Sequence, residues 1–524
     1  MANIQSLMKC PALLPWLSPL SVCVALLAAF SGCEKLGGSK PGSPRASLVV
    51  YCAAGLKKPV EAAAKAYEQD TQVVVQLQYG GTGTLLSQIR VAGKGDVFIS
   101  ADDGAVADAR KLNLVREALP VATLTPVIAV RAGNPKKIGS LADLLRDDIK
   151  FALANPESAS IGKSVQAAAG DEWPKFTARV AVMKPTVTEI AADLSIGAVD
   201  AAILWDSLIG QFKDIEAVHV SELDAHAENA SAAILTASTQ ASTALAFARY
   251  LSAPDKGGQH FSAAGTRPAG GDPWSPKPEL IMYSGGVNRP AIEALLKQFA
   301  DREGVDVTTV FNGCGILCAT MKTMGESTSP RFPDVYYACD LCFVPPVAEH
   351  FPEAVLLTET DIGIVVPAGN PKKVVTLSDL AQAGLRIGLC NAEQSTLGFM
   401  TRGMLKSTGL LESIQKNVVV EVPTADFLVN QMRAGGLDAA IVYRVNTLAG
   451  SEHLEFIKIR HEGARAIQPF AVRADSIHRQ LGFRLLDFLK ANRQAFEKAG
   501  FQWRGEEKAI RSDSIEVPPW LKQK

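Results

Sequence analysis

The feature that most constrains this chain is that it is written twice. Val49-Val50-Tyr51-Cys52-Ala53-Ala54-Gly55 is answered by Ile281-Met282-Tyr283-Ser284-Gly285-Gly286-Val287, and Pro59 by Pro290. An apolar set at Val60, Ala63, Ala64 and Tyr67 returns as Ile292, Leu295, Leu296 and Phe299, each with the spacing of one helix face. Gly81-Thr82-Gly83 pairs with Gly313-Cys314-Gly315, Asp96-Val97-Phe98 with Asp334-Val335-Tyr336, and Asn134-Pro135-Lys136-Lys137 recurs unchanged as Asn370-Pro371-Lys372-Lys373. Asp200-Ala201-Ala202-Ile203-Leu204-Trp205 matches Asp438-Ala439-Ala440-Ile441-Val442-Tyr443. An ordered series at a nearly constant offset of 231 to 238 residues is not a chance event. A period this long is a whole domain and not a solenoid unit. The sequence therefore predicts two domains, 47–275 and 278–505, joined by the Pro/Gly cluster Pro268–Pro276. In each, β-branched runs alternate with helical patterns, the signature of α/β layers with crossover helices. The runs 125–130 and 361–366 fall mid-copy, where a strand crossing between two lobes belongs.

The termini read differently. Residues 1–33 hold Lys9, an apolar core Val22–Phe30 and then Ser31-Gly32-Cys33. That core is too short for a membrane span of about 20 residues and fits a signal segment. Its ending is similar to a bacterial lipobox, which makes Cys33 the expected lipidated residue and a membrane anchor. Residues 34–46 have a tether's composition, and 506–524 form a charged, Pro-interrupted tail.

Charge excludes further classes. Lys and Arg total 53 against 54 Asp and Glu, so the basic footprint of a nucleic-acid binder is missing. The seven His form no HExxH and no His-x-His pair, which argues against a histidine metalloenzyme. No serine nucleophile elbow is present, and the pair Asp102-Asp103 reads as helix capping. An enzyme is not expected.

The Gly-rich strand-to-helix loops are the candidate site. Ala53-Ala54-Gly55 and Gly80-Gly81-Thr82-Gly83-Thr84 offer small residues, free N–H groups at helix starts and hydroxyls, a set able to hold an anion without lysine. Neither is a Walker A or a GxGxxG loop. Each pattern alone is as consistent with a plain turn.

Together these blocks carry a resemblance. Tyr51–Leu56, Gly80–Ile89, Gly95–Asp102, Asn155–Gly162 and Asp200–Trp205 resemble the molybdate-binding family of periplasmic solute-binding proteins. They span nearly all of copy one and, more weakly, copy two. The resemblance implies two tandem α/β domains of the type II periplasmic-binding-protein kind, each with two α/β lobes around a cleft. It implies a small oxyanion ligand, an ABC permease as partner and no cofactor. Carried onto this chain, the ligand positions of copy one fall on Ala54, Gly55, Gly81, Thr82, Gly83, Ile161, Val187 and Trp205. Those of copy two fall on Gly286, Cys314, Gly315, Leu397, Ala425 and Tyr443. Gly55 and Trp205 stand where a hydroxyl and a phenol are expected, and in copy two only the phenol, Tyr443, is kept.

Copy two gains Cys314, Cys318, Cys339, Cys342 and Cys390. In the implied fold the loops of Cys314 and Cys339 adjoin, so a Cys314–Cys339 disulfide is credible, with Cys318–Cys342 as a second. Free buried thiols or a metal such as zinc held by four thiols are the alternatives. Arg331 and Arg444 lie near the implied cleft, and Phe343–Val347 reads as core. Two other functions stay open: an envelope sensor or scaffold with degenerate clefts, and a thiol–disulfide oxidoreductase built on Cys339-x2-Cys342.

Overall fold

A computed structural model of the chain describes residues 46–325, 329, 331–448, 452–505 and 508–516. The expected signal segment, its Cys33 and nearly all of the tether lie outside the described residues, as does part of the tail.

Copy one begins with β1 (Ser47–Ala53), whose side chains are almost all buried. Helix Lys57–Thr71 follows and buries Pro59, Val60, Ala63, Ala64 and Tyr67, the predicted stripe. It stops at Gln72, which takes a left-handed φ of 62°, a common helix C-terminal cap. β2 (Val74–Gly80) pairs in parallel with β1, and β3 (Val97–Ser100) pairs with β1 on its other side. β4 (Val115–Leu124) and β5 (Pro126–Arg131) then lead out of this sheet into a second one. The second sheet adds β6 (Phe151–Ala154), β7 (Val182–Lys184), β8 (Ala201–Trp205) and β9 (Ile215–Val218), in the order β7-β6-β8-β5-β9. The chain returns through β10 (Glu228–Leu235) and β11 (Arg267–Pro268), completing a first sheet ordered β11-β4-β10-β3-β1-β2. Two lobes result, and the chain crosses between them twice.

Copy two repeats this order. β12 (Glu279–Gly285), β13 (Asp306–Asn312) and β14 (Val335–Tyr337) reproduce β1 to β3. Helix Arg289–Glu303 buries Ile292, Leu295, Leu296 and Phe299 and ends at Gly304. β15 (Glu353–Pro367) runs through both lobes without a break. Its first half pairs with β20 (Arg465–Val472) and its second half with β18 (Ala439–Tyr443) and β19 (Leu454–Lys458). β16 (Ile387–Cys390) and β17 (Val418–Val422) complete the second lobe. The predicted crossing strand is thus present in both copies. In copy one it is divided at Thr125, next to Pro126, which has no N–H for a ladder.

Each copy has its own core. One buried cluster is made of copy-two residues and two are made of copy-one residues. Val344 and Val347 sit in the copy-two core, as expected. β21 (Gln502–Trp503) and β22 (Ile510–Arg511) both pair with β15, so the described part of the C-terminal tail is built into copy two.

Candidate functional site

Because Ala53 stands opposite Gly80 at the ends of β1 and β2, the two Gly-bearing turns adjoin. Beyond Ala53 the chain makes a tight turn at Ala54–Leu56. Beyond Gly80 helix Thr82–Ala92 starts at once, with Gly81 as its cap. The second lobe faces them with helix Ser160–Ala169, helix Val187–Ser195 and the end of β8 at Trp205.

The lobes touch at these residues. Thr82 Oγ1 lies 3.5 Å from Ser160 Oγ, and both side chains are buried. The Gly83 N–H donates to the Ser158 carbonyl at 3.1 Å. Ser207 Oγ donates to the Gly55 carbonyl at 2.9 Å. A Cβ on residue 55 would stand 2.9 Å from Trp205 Cδ1 and 3.4 Å from Val187 Cγ2. Trp205 therefore packs against Gly55 and takes up the space a side chain there would need. The buried residues Ala54, Ile161, Val187 and Trp205 gather with Gly55, Gly81, Thr82 and Gly83 where the lobes meet. Three helices of eight or more residues begin there, so N–H groups and hydroxyls, not cationic side chains, dominate the junction. Just past Trp205, burial pushes the Asp206 carboxyl up to about 6.

Ser160 and Ser207 were not singled out from sequence. The repeat held a signal for the first, since Ser160 aligns with Thr396 and a hydroxyl stands at that helix start in both copies.

Copy two has the same architecture with different groups. The Ile316 N–H donates across the cleft to the Gln394 carbonyl at 3.4 Å. Cys314, Leu397, Ala425 and Tyr443 are buried, and Gly286 and Gly315 flank them. The turn Gly286–Asn288 stands in the same strand register as Ala54–Leu56, so Gly286 corresponds to Ala54, and Val287 corresponds to Gly55.

The Cys314 and Cys339 sulfurs are 2.9 Å apart, and the Cys339 N–H donates to Cys314 Sγ at 3.0 Å. Burial pushes the Cys314 thiol up, but hydrogen bonds with Cys339, Tyr336 and Thr396 together outweigh it and hold it below its ordinary value. Cys339 moves the opposite way, through its bond to Cys314 and its burial. The Thr396 hydroxyl faces the two sulfurs, and the Tyr443 hydroxyl is buried beside them without a hydrogen-bond partner. Asp340 accepts from the N–H groups of Ile467 at 2.9 Å and Cys342 at 3.1 Å, and burial pushes its carboxyl up to about 6.

The other cysteine expectations change. All six described cysteines carry free thiols. Cys318 Sγ lies 3.5 Å from the Tyr336 hydroxyl and 3.4 Å from the Phe343 carbonyl, and it is not bonded to Cys342. Among the described residues no three His, Cys, Asp or Glu side chains gather as a metal site, so the four-thiol zinc alternative has no geometry here. The sulfur neighbour of Cys339 is Cys314 and not Cys342, its partner in the Cys339-x2-Cys342 reading. Arg444 lies 4.0 Å from Asp361, and Arg331 is exposed. Asp102 caps its helix by accepting from the Ala105 N–H at 2.7 Å, as read from the sequence.

Two lobes of crossed α/β sheets, closing on a junction of helix starts, define a two-lobed binding protein. The sequence profile of the bacterial extracellular solute-binding proteins matches residues 48–267 and again 280–502, and the chain belongs to that family. It is 27% identical over 194 residues to the molybdate-binding protein ModA of Mycobacterium tuberculosis, covering 36% of this chain and 72% of that one. It is 27% identical over 228 residues to YvgL of Bacillus subtilis, provisionally described as an ABC transporter substrate-binding lipoprotein, covering 39% of this chain and 82% of that one. A solved structure, the periplasmic molybdate-binding protein of Azotobacter vinelandii, is 19% identical with a TM-score of 0.38, covering 42% of this chain and 98% of that one. Among the described residues no helix is long and apolar enough to cross a membrane.

Proposed function

We propose that the chain is an extracytoplasmic receptor that captures a small tetrahedral oxyanion of the molybdate class in copy one and delivers it to an ABC permease, tethered to the membrane by a lipid on Cys33. The observation that carries this reading is the buried meeting of the Thr82 and Ser160 hydroxyls at a junction where three helices begin. Such a junction binds an anion through oriented dipoles, and a dehydrated oxyanion finds many neutral donors there. The names of the Mycobacterium and Bacillus relatives support the ligand class, the transporter and the lipid anchor. Gly55 and Trp205 shape copy one for a compact ligand, since the indole fills the space above the first turn.

Titration of the mature protein with molybdate, tungstate, sulfate and phosphate, followed by tryptophan fluorescence, tests the ligand. One of them is expected to saturate the signal, and Thr82→Ala is expected to weaken it about 10-fold or more, the worth of a hydrogen bond to a charged group. No response to any of the four rejects the oxyanion. For the tether, palmitate should label the chain in bacterial cells and label should vanish in Cys33→Ala; label that persists rejects it.

A receptor or scaffold role without transport has one observation in its favour, and only for copy two. There the hydroxyl of Thr82 is replaced by the thiol of Cys314, in contact with a second thiol.

A further inference from the structure

The copy-two mouth differs from copy one by a coordinated set of changes. Thr82 becomes Cys314, Ala101 becomes Cys339, and Ala53 becomes Gly285. A Cβ on residue 285 would stand 2.2 Å from Cys339 Sγ, so the glycine is what gives the second thiol its room. Cys314 is the first residue of helix Cys314–Met324, and Cys339 lies just past β14. Both are anchored on the first lobe, so their approach does not depend on the position of the second. The sulfurs, already 2.9 Å apart, need to move less than about 1 Å to reach a disulfide bond length of about 2.05 Å.

We propose that Cys314 and Cys339 are a reversible redox pair, a covalent modification site that resets the donor set of the copy-two mouth. This rests on reading copy two as a solute cleft. The oxidant is a disulfide, of a protein or of a small thiol, which reaches the buried pair when the lobes part. The Cys314 thiolate attacks one sulfur of that disulfide and expels the other as a thiolate. Cys339, giving its proton to the departing thiolate, then displaces the remaining thiol from Cys314. One disulfide is formed and one is broken, and two electrons pass to the incoming reagent, which leaves as two thiols. Before the exchange, two thiols 2.9 Å apart face the Thr396 hydroxyl and the unpartnered Tyr443 hydroxyl. Afterwards neither sulfur carries a proton or a charge, and only neutral hydroxyls and N–H groups face a ligand.

The test reads the covalent state directly and needs no ligand, so it is independent of whether copy two binds an oxyanion. The full chain, incubated with oxidised glutathione, is denatured in iodoacetamide and digested. The expected result is a peptide linked through Cys314 and Cys339, released by dithiothreitol, with Cys52, Cys318, Cys342 and Cys390 alkylated in both states. Cys339→Ser is expected to lose the link while melting like the reduced parent, which separates loss of the bond from misfolding. Full alkylation of both Cys314 and Cys339 after oxidation, or a link from Cys314 to Cys318, overturns the proposal.

Discussion

At the residue scale, Gly81 is the position where one atom decides a large motion. A Cβ there would stand 2.3 Å from the Ser158 carbonyl oxygen and 2.7 Å from that of Pro185, both backbone atoms of the opposite lobe. Neither is the far end of a flexible side chain, so the strain cannot be relieved locally. Gly81→Ala is therefore expected to hold copy one open while leaving each lobe's core intact. Small-angle scattering of the unliganded protein should show a larger radius of gyration than the parent, with a melting temperature close to it. An unchanged radius would refute the claim that Gly81 sets closure. The same close approach recurs at Gly313, where Gln394 and Pro423 carbonyls take the roles of Ser158 and Pro185. Both glycines were visible in the sequence as loop residues, but what they approach was not. Ser158 and Pro185 lie far along the chain, and nothing local marks them as contacts.

At the scale of elements, much was legible because periodicity and burial agree. The stripes of Lys57–Thr71 and Arg289–Glu303 face the core as their spacing required. The strands fall where β-branched runs were noted, and the crossing strand falls mid-copy in each half. Two things escaped. The division of that strand at Thr125 in copy one, against the continuous β15 in copy two, has only Pro126 as a local marker. Proline occurs at ordinary strand starts as well as at bulges, so it does not by itself mark a break. The fate of the C-terminal segment also escaped. Its residues 510–511 pair with β15, a long-range contact made by a stretch with no strand pattern. The site fared similarly. Loop positions and the nearness of Cys314 to Cys339 followed from the family resemblance, whereas the close approach of Trp205 to Gly55 depends on which way the indole turns.

For the whole molecule, the two copies are joined by buried charge. Arg249, from helix Ala241–Ser252 of copy one, donates to the Glu303 carbonyl at 2.6 Å and lies 3.3 Å from its carboxylate. Arg484, from helix Arg479–Ala491 of copy two, reaches the other carboxylate oxygen at 2.9 Å. Glu303 is 2% exposed and Arg249 7%. Nearby, Arg302 clamps Glu117, and Asp272 of the linker accepts from the N–H groups of Gln480 and Leu481. Trp274 of the same linker packs on Tyr67 and Tyr250, so the Pro/Gly cluster is docked and not a loose spacer. Removing Glu303 strands two guanidinium groups away from water, so Glu303→Ala is expected to cost about 3 kcal/mol or more. Thermal denaturation should fall by several degrees, and a melt within about 1 °C of the parent would show the cluster to be energetically idle.

Apart from Asp272 and Trp274 of the linker, these joining residues lie on the first lobe of their copy, the one that holds β1 or β12. The seam acts as a shared chassis, and the outlying halves, 126–218 and 362–458, carry none of these joining residues. The two mouths are therefore held at a fixed spacing, mounted like paired gauges on one plate and not like beads on a thread.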